Sequence, residues 1–196
     1  MRTSISIISL ITGMLVIAVV ACTNSSGGTV ATVAKPDAAA MVSRGEYLVT
    51  TIGCDDCHSP KRMGPHGPEI IPELRLSGFP HDGQLPPLDT TEVKKGWTLF
   101  APDLTSAVGA WGASYAGNIT SDGSGIGNWK EENFIRALRE GKYKGLASGR
   151  SLLPPMPWFA YKNMSDDDLK SIFAYLKTTK PVNNVVPAPK PLSALK

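Results

Sequence analysis

Cysteine and histidine are scarce in this chain, with three of each among 196 residues, and the formal charge is only +3. So small a charge gives no basis for nucleic-acid binding, which requires a strongly basic surface. No segment shows a convincing alternation of apolar and polar residues, as a half-buried strand does, and no segment is repeated. The length suits one globular domain with some unstructured residues left over.

Glycine and proline are abundant by contrast, with 19 and 16 residues, and they lie mostly between segments of helical spacing. We expect helices near residues 42–52, at 131–141, and from Ser165 to a point before Pro181. Ser165 is a good N-cap residue, and the three aspartates after it suit the positive end of a helix dipole. The residues from 59 to about 115 form a long Pro/Gly-rich insert whose role the sequence does not explain.

The N-terminal residues have the features of a secretory signal. Residues 5–21 are an apolar run preceded by Arg2, and no acidic residue occurs before Asp37. The run ends in Val-Val-Ala-Cys, a lipoprotein-type box in which cleavage would leave a lipid on Cys22. One alternative is an uncleaved membrane anchor, for which the run is short against the roughly 20 residues required. Another is plain secretion, which would leave Cys22 as a free thiol in an oxidising compartment.

These patterns divide the chain into four predicted parts: a lipoprotein signal peptide at 1–21, a membrane tether at 22–40, a folded domain at 41–182 and a Pro-rich tail at 183–196. The tether is small, polar and aperiodic, so we expect a flexible coil with a reach of about 23 Å. The tail is expected to be extended and without helix, because proline cannot continue one.

The most informative motif is Cys-Asp-Asp-Cys-His at residues 54–58. In a helical turn, positions i, i+3 and i+4 share one face. Cys54, Cys57 and His58 then converge, whereas Asp55 and Asp56 are expected to point to water. C-x-x-C-H is the signature of c-type haem attachment, in which the two thiols form thioethers and the imidazole binds the iron. We therefore expect one covalently attached haem c.

Two other interpretations of the motif remain open. A zinc site would need further ligands, and the remaining histidines, His66 and His81, lie in Pro/Gly-rich loops without paired spacing. A redox dithiol would be expected after a strand in an alternating β/α pattern, which the sequence lacks. With Cys22 assigned to the lipid and two cysteines to the haem, no cysteine is left over.

The second axial ligand decides what such a haem does. A methionine thioether raises the potential and makes an electron carrier, whereas an open position allows gas binding or peroxide chemistry. The candidates are Met41, Met63, Met156, Met164, His66 and His81. Met156 is favoured because the prolines around it restrict the backbone and hold its side chain in a fixed direction. A histidine ligand, Met164 and an open site are the alternatives.

Taken together, these motifs resemble a class I c-type cytochrome, in particular the haem modules of cytochrome c subunits of bacterial alcohol and gluconate-type dehydrogenases. The resemblance covers most of residues 40–182. The matching pieces are GEYL at 45–48, CDDCH at 54–58, NIT at 118–120, GIGNW at 125–129, FIRALREG at 134–141, MPW at 156–158 and SDDDLKSIFAYL at 165–176.

The resemblance implies an all-α cytochrome c fold, with three main helices around a covalently bound haem, long Pro/Gly-rich loops and a domain at 41–182. It implies that the first and last helices cross, with Gly45 and Tyr175 as contact points, and that His58 and Met156 are the axial ligands. Dehydrogenase subunits of this kind carry several haem modules, whereas this sequence has a single C-x-x-C-H. A single haem is therefore expected.

Other residues near the expected haem have two interpretations each. Trp129 and Trp158 are either donors to the haem propionates or packing residues. Five cations are either a basic rim that steers an acidic redox partner or a solvated face. These cations are Lys61, Arg62, Lys142, Lys144 and Arg150.

The function expected from the sequence is single-electron transfer between redox partner proteins of a bacterial cell envelope, such as a dehydrogenase and an oxidase or reductase. The protein is not expected to be an enzyme by itself, because two filled axial positions leave no place for a substrate. The alternatives are a haem enzyme or gas sensor, and the cytochrome subunit of a periplasmic dehydrogenase complex. The lipid anchor would hold the protein at a membrane facing the periplasm, with the outer membrane preferred because Thr23 follows Cys22.

Metabolic labelling with a radioactive fatty acid tests the anchor. We expect the wild-type protein to take up label and to fractionate with membranes. Cys22→Ser should lose the label and appear as precursor or as a soluble species, whereas Ser25→Ala should behave like the wild type. An unlabelled wild-type protein in the soluble periplasmic fraction would contradict the anchor.

Overall fold

The computed structural model describes residues 37–195. The predicted signal peptide at 1–21, Cys22 and nearly all of the predicted tether lie outside the described residues. In the described part, no helix is both long enough and apolar enough to cross a membrane.

The described residues form six α-helices and five short strands. The helices are α1 Ala38–Thr51, α2 Cys54–His58, α3 Thr90–Lys94, α4 Glu131–Glu140, α5 Trp158–Tyr161 and α6 Asp166–Leu176. The strands are β1 Lys61–Gly64, β2 Gly67–Ile70, β3 Leu99–Phe100, β4 Ser106–Gly109 and β5 Gly112–Tyr115. Short 3₁₀ segments occur at Pro72–Leu74, Tyr143–Gly145 and Leu192–Ala194.

The three predicted helices are confirmed as α1, α4 and α6, although α1 begins at Ala38 and not near Val42. The Ser165 side chain accepts a hydrogen bond from the backbone N–H of Asp168, as expected for an N-cap residue. At the end of α4, Gly141 has a left-handed φ of 63°, which terminates the helix. Local sequence signals were therefore sufficient to place these helices.

The expected all-α fold is wrong, because the insert at 59–115 contains strands. β1 and β2 form an antiparallel hairpin, and β3, β4 and β5 form an antiparallel sheet in that order. Each strand has only two to four residues, and all four residues of β4 are buried. Strands this short give no periodic pattern in the sequence, and β4, which is buried on both faces, has no alternation of apolar and polar residues.

α1 and α6 cross at Gly45, as the resemblance implied. A Cβ atom added at Gly45 would overlap the carbonyl oxygen of Ser171 and lie 2.7 Å from the Cβ of Tyr175. Arg44 Nε also donates to Asp168 Oδ1 over 2.9 Å, which joins the two helices near the start of α6. The missing side chain at Gly45 is therefore what allows the two helix backbones to approach so closely.

The main hydrophobic core lies between α1, α4 and α6. Its buried members are Leu48, Val49, Leu76, Ile126, Phe134, Leu138, Leu169, Ile172, Phe173, Tyr175 and Leu176. Half-buried residues from the expected haem site pack against this core, including Cys54 and Met156. The core therefore supports the site directly.

The C-terminal residues pack along the insert. The side-chain amide of Asn184 donates to the carbonyls of Ser77 and Phe79 over 2.7 and 2.9 Å. Lys190 pairs with Ala113 of β5 through the backbone. Residues 183–190 form no helix, but the expected absence of helix is wrong at the 3₁₀ turn Leu192–Ala194. Leu192 packs against the small apolar cluster of the β3–β5 sheet and so ties that sheet to the chain end.

Gly45→Ala tests the helix crossing. In an exposed helix this change stabilises by about 1 kcal/mol, but here the added methyl group has no room. We expect a loss of about 2 to 3 kcal/mol in the free energy of unfolding, measured by denaturant titration. Glu46→Ala, at an exposed position of the same helix, should change it by less than about 0.5 kcal/mol. A Gly45→Ala variant as stable as the wild type would show that the helices do not cross this closely.

Candidate haem site

The motif at 54–58 forms the separate helical turn α2 because of Gly53. This residue has a φ of 81°, a left-handed conformation that glycine adopts without strain. The chain leaves α1 after Ile52 and begins α2 at once. The helical turn expected for Cys54, Cys57 and His58 is therefore present.

The His58 imidazole is held by the backbone. Its Nδ1 lies 2.7 Å from the carbonyl oxygen of Gly117, so a proton on Nδ1 is donated to that oxygen. This tautomer leaves Nε2 with a free lone pair for a metal ion. Burial lowers the pKa of His58, which favours the neutral, metal-binding form. The imidazole thus fits an iron ligand.

The two thiols are neutral at physiological pH. Burial, followed by the nearby charge of Asp55, raises the pKa of Cys54 to about 12. Burial also raises the pKa of Cys57, and Asp56 adds to the effect. Redox-active C-x-x-C motifs have lowered thiol pKa values, because the thiolate is the reactive species. The environment of these thiols therefore argues against the redox dithiol interpretation.

The expectation that both aspartates point to water is wrong for Asp55. Asp56 is exposed, but Asp55 is only 8% exposed. Its carboxylate accepts hydrogen bonds from Ser59 Oγ and from the guanidinium of Arg75. A short helix packed against the 72–76 segment turns Asp55 inward, which helical periodicity alone could not show.

Lys61 does not belong to an exposed basic rim. Its half-buried ammonium group donates to the carbonyls of Asp55, Asp56 and Ser59, over 3.2, 2.6 and 2.9 Å. These carbonyls lie at the end of α2, where a cation compensates the negative end of the helix dipole. The same group donates to Asp103, over 3.1 Å. Lys61 therefore fastens α2 to the insert.

The other predicted rim cations are more accessible. Arg62, Lys144 and Arg150 are exposed, and Lys142 is half-buried. The Arg150 guanidinium lies 4.0 Å from the centre of the Tyr143 ring, and the Lys144 ammonium lies 5.6 Å from it. The loop before Met156 thus presents cations around an exposed aromatic ring.

The candidate axial ligands differ in burial. Met156 and Met164 are half-buried and pack against the core that Cys54 also contacts. Met63 is 71% exposed, and His66 and His81 are exposed as well. Met41, on α1, is half-buried. Met156 and Met164 therefore share an apolar environment with the haem-attachment turn. Met63, His66 and His81, which are exposed, do not.

The Met156 loop is supported by the insert, which sequence reasoning did not anticipate. Ser114 Oγ of β5 donates to the carbonyl of Pro154 over 2.6 Å and accepts from Trp111 Nε1 over 3.1 Å. The backbone N–H of Trp158 bonds to the carbonyl of Met156 over 2.9 Å. A serine in a short strand carries no sequence signal for such a role.

The two tryptophans lie in packed surroundings. Trp129 packs against the main core. The Trp158 ring lies beside Gly141, where a Cβ atom would be 2.5 Å from ring carbon Cδ2. These contacts support the packing interpretation of both residues.

Within residues 37–195, no three side chains of His, Cys, Asp or Glu gather closely enough to hold a metal ion. The zinc interpretation therefore finds no ligand set in that part of the chain. A haem iron, by contrast, needs only one imidazole and one thioether from the protein. The residues present fit a covalently attached haem.

Comparison with known proteins finds no family model that matches the chain. Three curated relatives are informative. The fructose dehydrogenase cytochrome subunit of Gluconobacter japonicus is 34% identical over 151 residues, which are 76% of this chain and 23% of that protein. The gluconate 2-dehydrogenase cytochrome c subunit of Pantoea cypripedii is 31% identical over 137 residues, 69% of this chain and 22% of that protein. The alcohol dehydrogenase (quinone) cytochrome c subunit of Gluconobacter oxydans (strain 621H) is 30% identical over 145 residues, 73% of this chain and 22% of that protein.

The chain thus resembles cytochrome c proteins over most of its own length. In particular, it is similar to the cytochrome c subunits of bacterial fructose, gluconate and alcohol dehydrogenases, which confirms the resemblance expected from its motifs. It spans less than a quarter of the length of these relatives.

Extraction with acidified acetone tests covalent attachment. We expect the haem to remain on the wild-type protein, because acid and solvent do not break thioether bonds. Cys57→Ala should give a singly linked or degraded product, whereas Asp56→Ala, exposed between the two cysteines, should keep both links. Clean extraction of haem from the wild-type protein would contradict the site.

Proposed function

We propose that this chain is a single-electron carrier with one covalently attached haem c, ligated by His58 and Met156. The observation that carries the proposal is the hydrogen bond from His58 Nδ1 to the carbonyl of Gly117, which would leave Nε2 to bind the iron. The adjacent neutral thiols and the similarity to cytochrome c subunits support it. The single C-x-x-C-H supports one haem for this chain.

Each part of the site has a separate task in this proposal. Cys54 and Cys57 hold the cofactor covalently, and the hydrogen bond from His58 to Gly117 fixes the tautomer and orientation of the imidazole. The apolar core beside Cys54 and Met156 limits access of water. Bound haem supplies an iron that accepts and releases one electron. A soft thioether ligand favours the ferrous form and raises the potential.

In this proposal the chain is not an enzyme by itself, because an iron bound by both His58 and Met156 would offer no site for a substrate. A haem enzyme or gas sensor would require that Met156 does not bind the iron. The relatives favour a more specific role, since all three are named as cytochrome subunits of dehydrogenases. We therefore propose a dehydrogenase as electron donor, with an oxidase or reductase as acceptor.

The proposed location is the periplasmic side of a bacterial membrane. A lipid on Cys22 and a tether at 22–40 would hold the cytochrome domain at 41–182 close to that surface, with the outer membrane preferred. The accessible cations around Tyr143 suit an acidic surface on the redox partner. A partner that is membrane-bound, or that diffuses to the membrane, fits this arrangement.

Substitution of the methionines tests the electron-carrier function. Met156→Ala should lower the midpoint potential, remove the weak thioether-to-iron charge-transfer band and allow carbon monoxide to bind the ferrous protein. Met164→Ala is the matched control, because Met164 packs against the same core, and exposed Met63→Ala is a second control. Both controls should keep the wild-type spectrum and potential.

The alternatives give different results in the same experiment. A Met156→Ala variant with an unchanged spectrum and potential would remove Met156 as the ligand. A wild-type protein that is high-spin and binds carbon monoxide would favour the haem enzyme or gas sensor over the electron carrier.

A further inference from the structure

A partly buried ion pair lies directly beside the haem-attachment cysteine. Asp55 follows Cys54 in the chain, and its carboxylate accepts from Arg75 Nε over 3.0 Å and from Arg75 Nη2 over 2.7 Å. Ser59 Oγ donates to the same carboxylate over 2.7 Å. The Asp55 side chain is 11% exposed and the Arg75 side chain 33% exposed. The negative charge is therefore the more deeply buried partner.

The pair is part of a network that joins three segments. Arg75 Nη1 donates to the hydroxyl of Tyr175 on α6 over 2.7 Å. The backbone N–H of Leu76 donates to Ser59 Oγ over 2.9 Å. Leu76 has a φ of 63°, a conformation that costs a leucine about 1 kcal/mol. This strained residue lies where the network contacts the hydrophobic core, because Leu76 is hydrogen-bonded to Ser59 and is itself buried in that core.

The contribution of this ion pair to the free energy of folding does not by itself explain why the pair is present. The cost of removing two charges from water commonly offsets their attraction, and apolar residues of similar volume are often equally stabilising or better. A partly buried pair does, however, place two opposite charges at fixed positions, where their fields are screened less than in bulk water. Both charges lie beside the turn that carries Cys54 and His58.

We propose that the Asp55–Arg75 pair is a device that sets the redox potential of the haem. The negative charge of Asp55 and the positive charge of Arg75 offset each other beside the attachment turn. Hydrogen bonds with Ser59 and Tyr175 hold the two side chains in position. The proposal rests on the proposed haem site, and it adds two residues that tune the iron without touching it.

The two single substitutions should shift the midpoint potential in opposite directions. Arg75→Gln leaves the Asp55 carboxylate uncompensated, which favours the ferric form and lowers the potential. Asp55→Asn leaves the Arg75 guanidinium uncompensated, which favours the ferrous form and raises the potential. Arg75 is the more exposed partner, so solvent screens its charge more effectively. The rise in Asp55→Asn, which removes the less screened charge, should therefore exceed the fall in Arg75→Gln.

The experiment is redox titration of the purified, haem-loaded protein at pH 8, well above the ordinary pKa of aspartate. The double variant Asp55→Asn/Arg75→Gln should return close to the wild-type potential, and Arg75→Lys should stay close to it. Asp168→Asn is the matched control, because it breaks an exposed ion pair between α1 and α6. This control should leave the potential unchanged.

A purely structural role predicts a different pattern. Loosening of the attachment turn would shift both single variants in the same direction, and the double variant would not recover. Either that pattern or unchanged potentials in both single variants would overturn the proposal. If one single variant does not fold, as judged by its unfolding transition, the direction of the shift in the other single variant and its recovery in the double variant still decide between the two roles. Loss of haem from the wild-type protein would contradict the proposed function instead.

Discussion

The close crossing of α1 and α6 at Gly45 is the contact on which the rest of the structure depends. It brings the backbone of Ser171 and the side chain of Tyr175 against α1, and α1 leads through Gly53 into the haem-attachment turn. Tyr175 also accepts a hydrogen bond from Arg75, which binds the carboxylate of Asp55. One residue of α6 therefore connects the helix crossing with the turn that carries Cys54.

The insert at 59–115 holds the haem-attachment turn and the Met156 loop in position, a role that its Pro/Gly-rich composition does not indicate. Lys61 fastens it to the end of α2, and Ser114 supports the loop that presents Met156. The C-terminal segment completes the arrangement through Asn184 and the pairing of Lys190 with β5. The attachment turn and the Met156 loop are thus both held by a segment that carries none of the proposed ligands.

The similarity to known cytochrome subunits covers most of this chain but only a small part of each relative. Cytochrome subunits of three dehydrogenases match the chain over about 70% or more of its length, yet the chain covers less than a quarter of each. The carrier proposed above has one haem, and so no second haem to which it could pass an electron internally. The proposed carrier must therefore meet its partners at its surface, where the accessible cations around Tyr143 become relevant.

The sequence by itself determined the attachment motif at 54–58, the three long helices and the glycine at the helix crossing, because each depends on local spacing or on a recognisable resemblance. Cys22 and the tether remain predictions from sequence alone. Only the tertiary structure decided the strands, which are too short for a periodic pattern, and the inward orientation of Asp55 towards Arg75. It also decided the roles of Gly117 and Ser114, because a backbone carbonyl and a strand serine acquire a partner only when distant segments pack together.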